Sequence, residues 1–131
     1  MILVDTHILV WMVSDPARLS RAAHRAIQKA QQDRSCAIAS FTLWELAVLF
    51  QRNRLRGAGS IQNSIQRILD DTGVKTLEMT PEIADLAVSF PESYPRDPGD
   101  RIIGATARAY GLTLITHDER ILASPLIRTV W

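Results

Sequence analysis

Hydrophobic residues fall in two alternating textures along this chain. Short strand-like segments, wholly apolar at residues 2–4 and 36–39 and mixed apolar and polar at 74–79, 112–116 and 127–130, are bounded by polar or turn-forming residues. Longer intervening stretches repeat apolar positions every third or fourth residue. The two continuous apolar runs suit strands buried on both faces, the mixed ones suit further strands of the same sheet, and the intervening periodicity suits helices that cover them. The alternation predicts an α/β domain: a three-layer α/β/α sandwich around a mainly parallel sheet, formed by residues 1–131 as one unit without a linker.

Local chemistry marks the helix ends. The first helix should run from Thr6 to Val13 and stop at Ser14, Asp15 and Pro16. Ser20 can cap a helix reaching about Asp33, with Ala22, Ala23, Ala26, Ile27 and Ala30 inward. Ser40 or Thr42 can open the next, which continues to about Asn53, and Thr42 with Glu45 has capping-box spacing. Gly57 and Gly59 mark a turn, Ser60 caps a helix through Asp71, and Gly73 ends it. Thr80 and Pro81 start another helix. The proline-rich segment 91–99 reads as a loop, with Asp97 as N-cap and Pro98 at the first position of a helix to Tyr110 that Gly111 ends.

Composition adds constraints. With 131 residues, 47% of them hydrophobic, the chain can build a core without disulfide or structural metal, and the single Cys36 excludes an internal disulfide. No apolar run is long enough to span a membrane, and the opening Met-Ile-Leu-Val-Asp lacks the basic segment of a secretory signal, so a soluble cytoplasmic protein is expected. The net charge of +1 conceals an uneven distribution. Residues 1–56 carry eight basic and four acidic side chains, against seven and ten in residues 57–131. Acids gathered in one pocket would leave the remaining surface more basic than the total implies.

Four acids occupy positions where such a pocket forms. Ligands bind parallel sheets beyond the carboxyl ends of the strands. Asp5 and Asp118 follow predicted strands, Glu45 lies early in the helix after the second strand, and Asp100 lies in the first turn after Pro98. Carboxylates close together resist ionising unless cations neutralise them, and an all-oxygen set suits Mg2+ or Mn2+. Zinc is disfavoured, because His7, His24 and His117 form no compact ligand motif and one cysteine makes no thiolate cluster. Position alone decides little, since acids in first helical turns are favoured by the helix dipole in any case.

Four ordered motifs carry more weight: V-D-T-H from Val4, S-F-T-L-W-E-L from Ser40, D-P-G-D-R-I-I-G-A-T-A from Asp97 and L-I-T-H-D from Leu114. Together they resemble the PIN domain, and within it the VapC-type toxin ribonucleases of toxin–antitoxin pairs, over essentially the whole chain. The resemblance implies a PIN-like fold, Mg2+- or Mn2+-dependent endoribonuclease activity on RNA, inhibition by a cognate antitoxin, and a homodimer. It places the family's acids on Asp5, Glu45, Asp100 and Asp118, for catalysis and metal binding alike. Asp97 is an extra neighbour, ranked below Asp100 because it is an excellent N-cap. Gly99 stands where many similar toxins have a bulkier residue. Asp118 matches the most variable member of the set.

Other residues have structural readings beside functional ones. Thr6 could bond a carboxylate or cap the first helix; His7 and His117 adjoin proposed ligands without being needed; Thr116 could orient Asp118. Arg101 could meet phosphate or, more conservatively, pair with a carboxylate. Arg52, Arg54 and Arg56 suit a helix C-terminus, and could also steer RNA or meet an acidic antitoxin. Trp11, Trp44 and Trp131 could line a dimer or antitoxin groove, with burial expected for most of them. Two alternative functions are a catalytically inactive PIN-like module that binds RNA or protein, and a phosphate-handling domain. The intact acidic quartet opposes the first. The second lacks an acid two residues after Asp5, a lysine at a later strand end and a P-loop.

Overall fold

The structure is a computed structural model and describes residues 1–131. The expected alternation is present as β1 (Ile2–Val4), α1 (Thr6–Ser14), α2 (Arg21–Gln32), β2 (Cys36–Ala39), α3 (Phe41–Gln51), α4 (Ile61–Thr72), β3 (Lys75–Leu77), α5 (Pro81–Ser89), α6 (Pro98–Tyr110), β4 (Thr113–Ile115), α7 (Glu119–Leu122) and β5 (Thr129–Val130). All neighbouring strands are parallel, in the order β3-β2-β1-β4-β5.

Register explains why the inner strands β1, β2 and β4 are largely apolar. Leu3 lies beside Ala37 and Leu114, and these three face one core with Ile83, Ile103 and Ile121. Val4 lies beside Ile115, facing the other core with Ile8, Leu9, Ile27, Ile38 and Leu46. Each inner strand therefore supplies alternate residues to two buried layers, and fully burying one such aliphatic side chain contributes roughly 1.5–3 kcal/mol. No helix is long and apolar enough to cross a membrane.

The caps follow the expected residues at four helices. Ser20, Ser60, Thr80 and Asp97 each accept an amide hydrogen bond from the third residue onward. Gly73 and Gly111 close α4 and α6 in the left-handed conformation, at φ of 69° and 64°. The capping box on α3 does not form. Ser40 is its N-cap residue without a side-chain cap bond, its hydroxyl instead accepting from the Met79 amide at 3.2 Å. Thr42 and Glu45 turn toward Thr6, because a buried hydroxyl pairing between helices competes successfully with a local cap. The apolar pattern did not disclose the short 3-10 turn Pro16–Arg18 or α7.

The order of strands creates the site. From β1 the chain builds outward through β2 to β3, then returns to β1's other edge with β4 and continues to β5. The reversal lies between β1 and β4, whose carboxyl ends carry Asp5 and the segment Thr116–Asp118. A crevice opens at such a reversal because the flanking connections leave toward opposite faces.

Candidate metal centre

Asp5 follows the last residue of β1 and is 4% exposed. Its amide donates to Ile115 O at 3.0 Å, extending the β1–β4 ladder by one bond. Its carboxylate is oriented by two donors: the Thr6 amide to Oδ1 at 2.8 Å and the Thr116 hydroxyl to Oδ2 at 2.8 Å. The cap of α1 is therefore Asp5 rather than Thr6. Thr6 Oγ1 donates to Glu45 Oε1 at 2.6 Å, which leaves Thr42 as the donor in the 2.9 Å hydroxyl pair between Thr6 and Thr42. A relay from Thr42 through Thr6 thus holds the Glu45 carboxylate across from β1.

Thr116 joins the first and fourth acids. While donating to Asp5 it accepts the Asp118 amide at 3.1 Å. Asp118 Oδ1 in turn caps α7, accepting from the amides of Arg120 at 2.9 Å and Ile121 at 3.3 Å. Asp100 lies in the first turn of α6, and its amide donates to Asp97 Oδ1 at 3.1 Å. Asp5, Glu45 and Asp100 line one groove of about 620 Å³; Asp118 lines an adjoining hollow, and His7, Trp11 and Arg18 belong to both.

The position of α6 depends on residues outside the acid set. Tyr94 is 1% exposed, stacks on Phe90 at 4.3 Å and donates to Asp100 O at 2.9 Å. Gly104 makes room for it, because a Cβ there would collide with the phenol. Arg101 forms neither the expected ion pair nor a phosphate-facing group. Its guanidinium bonds the carbonyls of Pro95, Phe90, Ala87 and Pro91, at 2.9–3.3 Å. These carbonyls lie in and before a proline-rich loop where no regular ladder serves them, and five fixed donors on one side chain satisfy several at once.

The acids interact unfavourably. Burial, followed by repulsion from Asp5, Asp97, Asp118 and Glu45, raises the Asp100 pKa from 3.8 to about 7. Glu45 is also raised, chiefly by burial, with the Thr6 hydroxyl opposing and Asp5 and Asp97 reinforcing the shift. No lysine or arginine forms an ion pair with any of these acids; the sole contact of that kind is His7 Nδ1 to Asp5 Oδ2 at 3.7 Å. His7 does not supply the missing charge. Its Nε2 accepts the His117 amide at 3.0 Å, which requires that nitrogen to be unprotonated, and burial lowers its pKa from 6.5 against the pull of Asp5.

An uncompensated oxygen donor set fits a hard divalent cation. The glycine at position 99 contributes to the fit: a Cβ there would stand 3.0 Å from Glu45 Oε2, Asp97 Oδ1 and Phe41 Cε2. A bare backbone thus lets Glu45 approach the start of α6. As the side chains stand, no three acidic or histidine groups close around one point tightly enough to ligate an ion. A cation would have to draw the carboxylates inward from these rotamers.

The PIN domain model matches residues 2–124. The chain belongs to the PIN-domain family. This PIN domain is 37% identical to Ribonuclease VapC22 of Mycobacterium tuberculosis, with 99% of this chain and 98% of the relative aligned. Among solved structures it resembles VapBC2 from Rickettsia felis bound to a promoter DNA fragment, with TM-score 0.74, 15% identity, and coverage of 99% and 98% of the two chains. A toxin–antitoxin complex from Klebsiella pneumoniae gives TM-score 0.69 and 24% identity, covering 100% and 97%. These structural likenesses establish the PIN fold in three dimensions, in agreement with the sheet order and layers described above.

The site also contains residues that the sequence motifs ranked low or passed over. Thr6, Thr42 and Thr116 are 8%, 0% and 0% exposed and hold Asp5 and Glu45 in place. Thr42 had a competing local explanation as a cap, and a hydroxyl gives no periodic signal of a partner 36 residues away. Arg18 had no distinguishing sequence context; the turn after Pro16 brings its guanidinium to 4.2 Å from the Trp11 ring centroid. Contrary to the burial expected for most of them, none of the three tryptophans is buried: Trp44 is 61% exposed, and Trp11 and Trp131 are half-buried.

Proposed function

We propose that this PIN domain is a metal-dependent endoribonuclease toxin: Asp5, Glu45 and Asp100 hold Mg2+ or Mn2+, Asp118 completes the acidic pocket, and a cognate antitoxin restrains the activity. The observation that carries this reading is the set of four carboxylates about the sheet's reversal point, with no lysine or arginine paired to them. End-to-end identity of 37% with a ribonuclease supports the reaction class, and the likeness to toxin–antitoxin complexes supports a protein inhibitor. Pairing as a homodimer accords with the same family reading.

When bound, the cation supplies charge neutralisation for the phosphodiester and acidifies water for attack. The protein's own part is placement. Asp5 is oriented through both oxygens by the Thr6 amide on α1 and the Thr116 hydroxyl at the end of β4. Glu45 is held by Thr6 on the opposite wall. Asp100 starts on a helix N-terminus, where the peptide dipoles favour a carboxylate. In-line attack of water on phosphorus breaks the P–O3′ bond, leaving a 5′-phosphate while the departing O3′ takes a proton to become a hydroxyl. No side-chain nucleophile is needed.

The test is incubation of purified, antitoxin-free protein with a cellular RNA pool in Mg2+, in Mn2+ and in excess chelator, beside Asp100→Asn. Discrete fragments from the native protein in metal alone are expected. Folded protein that binds the cation yet leaves every RNA intact would instead favour the binding-module reading.

A further inference from the structure

The acidic groove has walls that cation binding does not use: Trp11, Arg18, Trp44 and Arg54 line it with Asp5, Glu45 and Asp100. Trp44 directly precedes Glu45 and is 61% exposed, with Phe41 as its tilted aromatic neighbour at 5.5 Å. An indole left this exposed gains little from folding and offers a face for stacking. Trp11 is more committed, enclosed by His7, His117 and Trp131 at 5.1–5.7 Å and covered by Arg18.

Arg54 reaches the groove through the end of α3. Asn53 adopts φ of 56°, and the Arg54 amide returns to Leu49 O at 2.9 Å, a helix-terminating wrap that turns the chain back along its own last turn. Of the three arginines after α3, only Arg54 lines the acidic groove; it also lines the adjoining cavity beside α4, where Arg56 lies. Arg18 and Arg54 are exposed and form no ion pair, although acids share the groove with them.

Exposed stacking surface, guanidiniums without an ion pair and an acidic floor match one ligand chemistry. A nucleic acid strand offers planar bases and repeated phosphates together. An acidic peptide could meet the arginines, but its charged side chains offer no planar ring for Trp44, whereas every nucleotide carries a base beside its phosphate. We infer that Trp44 stacks an unpaired nucleobase of the bound RNA, and that Arg18 and Arg54 hold neighbouring phosphates of that strand. The inference rests on the ribonuclease reading and assigns its substrate contacts to residues outside the carboxylate set.

The test measures fluorescence anisotropy of short labelled oligouridylate and oligoadenylate, in an Asp5→Asn background that binds without cutting. Trp44→Ala should weaken both by roughly tenfold, while Trp44→Phe keeps most of the affinity because a ring still stacks. Arg18→Gln and Arg54→Gln should each weaken binding and lower the log–log salt slope by about 0.7, the value for one single-strand phosphate contact. Arg108→Gln, near the other end of α6, should change neither. With the native acids restored, Trp44→Ala should raise KM for RNA cleavage far more than it lowers kcat. Unchanged RNA affinity and KM in the Trp44 and arginine variants, while the native protein still cleaves, would overturn the groove assignment and leave the ribonuclease reading intact. Unchanged RNA affinity with loss of antitoxin inhibition would assign the groove to the protein partner and overturn the inference. A native protein that neither binds nor cuts RNA would overturn both.

Discussion

Replacing Asp100 by asparagine should stabilise the metal-free protein, and only at the higher end of the pH range. An acid whose pKa is raised from 3.8 to about 7 on folding keeps a proton that the unfolded chain has already released. Between those values the folded state binds more protons, so stability falls as pH rises, and above about pH 7 the whole penalty is present. Taken at face value the rise corresponds to ~4 kcal/mol. Asp100 is only half-buried, and solvent screening reduces the expected penalty to ~1–2 kcal/mol. Asparagine keeps the shape without the charge. Urea unfolding in chelator should therefore give Asp100→Asn a higher midpoint at about pH 8, converging with the native protein near pH 4, at unchanged denaturant slope. Saturating Mg2+ should then stabilise the native protein more than the variant, because binding to the folded state alone adds stability by mass action. A variant less stable than the native protein in chelator at about pH 8 would refute the argument that burial and acid repulsion dominate at this position.

Three further substitutions probe the supports of the acids. Thr116→Val removes the donor to Asp5 and the acceptor for the Asp118 amide at a fully buried position; it should cost ~2–3 kcal/mol and weaken metal binding by calorimetry, with Thr116→Ser retaining both. Arg101→Gln strands several carbonyls of segment 87–95 and should cost ~2–4 kcal/mol, with hydrogen exchange in that segment accelerating before the rest of the molecule. Gly99→Ala sets a methyl 3.0 Å from Glu45 Oε2; stability should move by less than ~1 kcal/mol while RNA cleavage falls several-fold, measured side by side on one preparation.

Much of this molecule is legible in local chemistry. The apolar character of β1, β2 and β4 shows in the sequence because both faces of the inner sheet are covered. Asp97, Pro98 and Gly111 delimit α6 through backbone preferences that need no tertiary partner. Where the reading departs from the structure, a distant group has won. Thr42 and Glu45 have the spacing of a cap, but Thr6, brought alongside by β1–β2 pairing, takes both. Arg101 sits next to an acid in sequence, yet bonds carbonyls that become its neighbours only when the loop after α5 folds over α6. The 3-10 turn and α7 are too short to show a helical period. The four acids lie in recognisable motifs, whereas the hydroxyls that aim Asp5 and Glu45 carry no comparable signal.

The central claim, that these carboxylates hold a cation which enables RNA hydrolysis, is tested most directly by single-turnover cleavage of one RNA as Mn2+ is titrated into native protein, Asp5→Asn and Glu45→Gln. The account predicts a saturable rise in rate for the native protein, no cleavage in chelator, and at least a roughly hundredfold loss in both folded variants. Cleavage that persists in chelator, or proceeds at the native rate in Asp5→Asn, would contradict it.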